Sequence, residues 1–171
     1  ASGGALRDRE LLSMDNATLD DVLKHPNWQM GQKITIDSAT MMNKLFEILE
    51  ARWLFGETIH YDAIIETSST IHAFVEFSDG VTTAQLSPTD MRLQIAYALL
   101  SSLDEPLFSP LDLSTLSTLS FRQIDTKRYP LWALKEQVVT NPSLGVVLNA
   151  LNEVAIEKFV QRQCSYREMN N

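Results

Sequence analysis

The sequence predicts an α+β fold in which helices flank a small mixed sheet. Residues 40–53 repeat apolar side chains with a helical period, residues 71–86 alternate around a tight turn, and residues 129–162 return to a helical pattern. Of the 171 residues, 44% are apolar and 21% charged, a balance that supports a buried core and excludes a disordered chain. The net charge of −8 and pI near 4.8 argue against nonspecific binding to nucleic acid or to an anionic membrane. Any phosphate must therefore be held by local groups. No apolar run approaches the roughly 18 residues of a membrane-spanning helix, and no signal peptide is visible. Cys164, the single cysteine, excludes an internal disulfide and suits a reducing cytoplasm. The chain begins on Ala1 without a Met and stops inside a helical pattern, so it reads as a segment of a longer protein.

The elements follow in order. Ser2-Gly3-Gly4 is a small-residue loop, read either as a plain turn or as a place where backbone N–H groups approach a ligand. Residues 8–23 are polar, and Thr18 with Asp21 three positions later marks the start of a short helix. In His25-Pro26-Asn27-Trp28-Gln29-Met30-Gly31, Pro26 keeps His25 out of helical geometry and Gly31 supplies a joint. This loop is either a movable lid or a segment anchored on the core by Trp28 and Met30.

Residues 33–38 are rich in β-branched side chains and read as a short strand running through Asp37-Ser38 into a helix over 40–53. At the helical step of about 100° per residue, Thr40, Asn43, Lys44, Glu47 and Glu50 share an arc of roughly 120°. Met42, Leu45, Phe46, Leu49 and Trp53 form the apolar stripe. Polar groups gathered on a largely buried helix need partners, either one another or a ligand. Residues 61–66 and 71–77 read as strands, and Ser78-Asp79-Gly80 as the hairpin turn into a third strand over 81–86. The strongly apolar face of Ile71, Ala73, Val75 and Phe77, opposite a mixed face, points to dimerisation. His72 reads as an ordinary strand histidine. Pro88 and Asp90 introduce a helix ending at Leu100. Residues 104–128 read as an extended linker, since Leu113, Leu116 and Leu119 recur with neither a helical nor a strand period. Helices resume over 131–139 and 146–162.

The blocks His25-Pro26-Asn27-Trp28-x-Met30-Gly31, Ile36-Asp37-Ser38-Ala39-Thr40-Met41-Met42-Asn43-Lys44 and Glu50-Ala51-Arg52-Trp53 together closely resemble the 1-deoxy-D-xylulose 5-phosphate reductoisomerase family. Ser2-Gly3-Gly4, Glu47, Ala84-Gln85-Leu86, Asp90-Met91-Arg92, Arg128-Tyr129-Pro130, Leu148-Asn149-Ala150 and Asn152-Glu153 match as well, so the resemblance runs through essentially the whole chain. It implies conversion of a keto-sugar phosphate to 2-C-methyl-D-erythritol 4-phosphate with NADPH and Mg²⁺ or Mn²⁺, in isoprenoid precursor synthesis, by a cytoplasmic homodimer. It further implies a central α+β catalytic domain over 1–103, a linker over 104–128 and the beginning of a C-terminal helical bundle over 129–171. No Gly-x-Gly-x-x-Gly occurs, so the NADPH domain is not expected in this segment.

By the same resemblance Ser2, Ser38, Asn43 and Lys44 form the phosphate cradle, with Ser38 expected at a helix start that favours an anion. His25 contacts substrate and is grouped with Glu47 as catalytic, Trp28 and Met30 close the lid, and Gly31 and Met91 lie near the nicotinamide. Glu47 is the implied metal ligand, and Glu50 is implied to form a structural pair. Many family members carry Ile-His-Pro-Gln-Ser where this chain has Ile65-Glu66-Thr67-Ser68-Ser69, and Glu66 receives no catalytic role. Two other readings stand beside the enzyme: a non-catalytic dimerisation and phosphosugar-binding module, and a relative that reduces another phosphorylated substrate.

Overall fold

The computed structural model describes all residues except Ser101, Ser117 and Asn171. Two short helices, α1 (Leu11–Met14) and α2 (Leu19–Val22), precede the long pair α3 (Gln32–Thr40) and α4 (Met42–Phe55). Thr18 caps α2 through a complete capping box with Asp21, as its spacing predicts. Strands β1 (Ile65–Glu66), β2 (Ile71–Glu76) and β3 (Thr82–Leu86) lead to α5 (Arg92–Leu99). After a 3-10 turn at Leu113–Thr115, β4 (Phe121–Arg122) is followed by a 3-10 helix (Pro130–Leu134), α6 (Lys135–Thr140), α7 (Leu144–Val160) and α8 (Tyr166–Met169).

Residues 33–38 are helical, not a strand. Burial explains the outcome: Thr35, Ile36, Asp37, Ala39 and Thr40 are buried while Lys33 and Ile34 face out, which is a helical and not a two-residue period. Lys33 pairs with Asp37 four residues on at 2.8 Å, Thr35 Oγ1 donates to Gly31 O, and Asn152 of α7 donates to Asp37 Oδ1 at 2.7 Å. These contacts override the weak helix propensity of the β-branched run. Met41 then adopts a left-handed conformation (φ 65°) and divides the helical stretch in two.

The division separates two cores. Ile36 and Ala39 of α3 pack with Leu6, Met14, Val22, Ile156, Phe159 and Tyr166, whereas Met42, Leu45, Ile48 and Leu49 of α4 pack with Ile65, Tyr129, Trp132 and Val138. Trp53, expected in the buried stripe, is 68% exposed, because α4 outruns the elements covering its first three turns. Glu50 is exposed and makes none of the described hydrogen bonds, contrary to the expected structural pair. The sheet is not mixed: β2–β3 and β1–β4 are separate antiparallel pairs. The tight turn at 77–81 fixes the first pair. Residues 104–128 supply β4, whose pairing shortens the expected 61–66 strand to Ile65–Glu66. Helix α7 begins two residues earlier and ends two earlier than its pattern predicts, and α8 follows through a second capping box, Ser165 with Glu168. Among the described residues no helix is long and apolar enough to cross a membrane.

The amino-terminal loop is fastened to both cores. Gly4 (φ +68°) lies so close to α3 that a Cβ would stand 2.6 Å from Ala39 Cα and from Ser38 O. Tyr129, fully buried, donates its hydroxyl to Gly3 O at 2.8 Å, and burial pushes its pKa up to about 12. Gly4 thus serves helix packing and not ligand approach. Gly4→Ala combines a strained φ with a backbone collision and is expected to cost roughly 3 kcal/mol, read as a lower midpoint in urea unfolding.

Candidate active site

A cavity of about 850 Å³ opens between the amino-terminal loop, residues 25–30, the α3–α4 junction and the strand-to-helix region at 89–94. Ser2, His25, Trp28, Met30, Ser38, Asn43, Lys44, Glu47 and Met91 all line it. Gly31 does not; it borders a neighbouring groove of about 550 Å³ on the other side of the same loop, with Leu23, Lys24 and Thr35.

Ser38 is not at a helix start. It lies in the last turn of α3, where its carbonyl accepts from Met41 N. The helix start belongs instead to α4, and Met41 is the residue that turns it. Lys44 N and Leu45 N both return to Met41 O, and Met42 N donates to Thr40 Oγ1 at 3.3 Å. Asn43 and Lys44 therefore sit in the first turn, where the helix dipole and the ammonium reinforce one another toward an anion. The polar arc is paired with itself: Glu47 accepts from Asn43 Nδ2 at 2.6 Å and forms an ion pair with Lys44.

The imidazole geometry assigns a tautomer. His25 Nδ1 accepts from the backbone N–H of Asn27 (3.2 Å) and Trp28 (2.9 Å), so the proton resides on Nε2 and is donated to Ser2 Oγ at 2.8 Å. Ser2 Oγ also accepts from Gly4 N, which leaves the serine proton free to donate into the cavity. Burial, aided by the charge of Arg7, lowers the His25 pKa and keeps the ring neutral. Trp28 meets His72 edge to face, with ring centroids 6.1 Å apart. The Trp28 ring is thus anchored across the cavity.

Several contributors escaped the sequence reading. Asn27 donates to Thr67 O (2.9 Å) and Ser69 Oγ (2.8 Å), tying the 25–30 segment to the 66–71 loop. Arg7 Nη1 bridges Ser2 O and Thr67 O at 2.9 and 2.6 Å. Asn27 stands inside the His25-to-Gly31 motif and could have been singled out there; Arg7 and Ser69 carry no local signal. For a metal, the cavity offers Glu47 and Asp90, and Asp90 is engaged by Arg92 at 2.7 Å. Among the described residues no three His, Cys, Asp or Glu side chains converge. These residues alone do not fit the oxygen-rich coordination of Mg²⁺ or Mn²⁺.

Comparison with known proteins follows the same lines. Residues 1–55 match the model of the 1-deoxy-D-xylulose 5-phosphate reductoisomerase C-terminal domain, and residues 86–171 match that of the DXP reductoisomerase C-terminal domain. The 1-deoxy-D-xylulose 5-phosphate reductoisomerase of Nautilia profundicola is 55% identical over 170 residues, covering 99% of this chain and 46% of that protein. That of Wolinella succinogenes is 53% identical, covering 99% and 47%. A crystal structure of DOX-P reductoisomerase with NADPH, fosmidomycin and magnesium superposes with TM-score 0.91 at 36% identity, over 99% of this chain and 42% of the other. The Zymomonas mobilis enzyme with NADPH gives 0.85 at 33%, over 99% and 44%. The chain spans about half the length of the curated relatives it matches.

The conformation of the 25–28 loop depends on a neutral His25, whose Nδ1 accepts from Asn27 and Trp28. Because the folded state lowers its pKa, the stabilisation is complete above the ordinary imidazole value near 6.5 and is lost as pH falls through the folded value. An NMR titration is expected to place the His25 midpoint below 6.5, with the Asn27 and Trp28 amide shifts moving alongside it. A midpoint above 6.5 contradicts this.

Proposed function

Since this chain belongs to the 1-deoxy-D-xylulose 5-phosphate reductoisomerase family, we propose that it carries the substrate-binding half of an enzyme converting 1-deoxy-D-xylulose 5-phosphate to 2-C-methyl-D-erythritol 4-phosphate with NADPH. The observation that carries the reading is convergence. Nine of the ten residues the resemblance marks for the site, far apart in sequence, line one cavity.

The phosphate would lie against the first turn of α4, taking the Lys44 ammonium, the Asn43 amide and the free Ser2 proton. Anchoring there supplies binding energy remote from the bonds that change, which fixes the sugar's orientation. His25, held by its two backbone donors, presents a neutral N–H beside the Ser2 hydroxyl, and Trp28 and Met30 exclude water from above. NADPH would supply the hydride, with Met91 bordering the cavity and Gly31 the adjoining groove. Glu47 is the carboxylate proposed for the divalent ion, and the remaining ligands are not found among the described residues of this chain. A homodimer belongs to the same reading. Val75 and Phe77, with Ile95 and Leu99 of α5, leave apolar side chains uncovered in the single chain.

Glu47→Gln in the intact protein is expected to lower turnover roughly 100-fold and to shift its dependence on divalent metal. Unchanged turnover and metal response would remove Glu47 from its role. The alternative of a phosphosugar-binding module makes a different statement about this polypeptide. Taken alone, the 171 residues are expected to show no substrate-dependent NADPH oxidation, and any such rate measured by absorbance would refute this.

A further inference from the structure

Glu66 is only 1% exposed, faces no cation among the described ion pairs, and has no part in the chemistry above. Its carboxylate is nevertheless fully occupied. One oxygen accepts from Ser68 N and Ser68 Oγ, both at 2.7 Å, and the other from Thr70 N at 2.8 Å and Ile71 N at 3.2 Å. The loop at 66–71 therefore folds around this one group. Ser69, at its apex, is held at φ +58°, uncommon for a residue with a side chain. From there Ser69 Oγ, together with Thr67 O, receives the Asn27 amide. Asn27 lies between His25 and Trp28, whose ring and backbone are bonded to each other.

We infer that Glu66 is a positioning residue that shapes the 66–71 loop into a receptor for Asn27 and thereby sets where His25 and Trp28 stand over the cavity. The inference rests on the reading of that cavity as the substrate site. The chemistry requires a carboxylate. Four donors converge, and an ionised carboxylate is acceptor-only with room for about four. A glutamine offers one oxygen and turns an NH₂ toward N–H groups; an imidazole offers at most one acceptor nitrogen. Burial pushes the Glu66 pKa up, yet the donors from Ser68, Ile71 and Thr70 outweigh it and hold the group ionised.

Amide hydrogen exchange in the intact protein, with no ligand added, reads the inference without requiring turnover. Glu66→Gln is expected to speed exchange across residues 25–31 by about tenfold while leaving α4 protected. Asn27→Ala is expected to do the same, and the double variant to be no faster than either single one, since both break one linkage. If the lid rates in folded Glu66→Gln match the parent, or if the two effects multiply, the inference is overturned. Should Glu66→Gln not fold, Ser69→Ala, which removes only one acceptor of Asn27, is expected to loosen the lid, and an unchanged lid there overturns it equally. A loosened lid in a protein that lacks reductoisomerase turnover would instead sink the functional reading and leave the positioning role standing.

Discussion

The arrangement of this molecule depends on the backbone of Met41. A left-handed residue bearing a side chain is disfavoured by roughly 1–2 kcal/mol, and here that conformation is retained inside a buried junction. Without it α3 and α4 would run on as one helix, and Ile36 and Leu45 could not each face a separate core. The turn also aims the first residues of α4 into open space beside the Ser2 loop. Cores on either side hold the strained residue in place, so the cavity inherits its rigidity from hydrophobic packing.

Around that junction polar groups are fixed chiefly by backbone partners. His25 is oriented by two main-chain N–H groups, Ser2 by Gly4 N, and Arg7 by two carbonyls. Main-chain partners leave side-chain hydrogen-bonding capacity free for a ligand. Lys44, Asn43 and Glu47 are the exception, since they satisfy one another. The polar arc is thus satisfied by partners on its own helix, one of the two outcomes open to it.

Much of this was legible in the sequence. The hairpin at 71–86, the capping box at Thr18 and the helical period of α4 are local signals, and local structure obeyed them. The candidate site residues come from motif resemblance, and most of them line one cavity in the fold. The failures share a cause. Ile34-Thr35-Ile36 looked like a strand because propensity ignores the α7 and α2 surfaces that bury one helical face. The motif puts a helix start at Ser38 whereas the break falls at Met41, and nothing in a methionine's chemistry signals positive φ. Arg7 and Ser69 gained their partners from chain segments sixty and forty-two residues away. No window of local sequence contains such information.

The clasp of Glu47 by Lys44 and Asn43 has a thermodynamic consequence. An anion that draws Lys44 away strips Glu47 of its counter-charge, and the carboxylate then attracts a positive ion more strongly than before. An anion and a cation meeting at this helix would therefore be heterotropically linked, each tightening the other by the same factor.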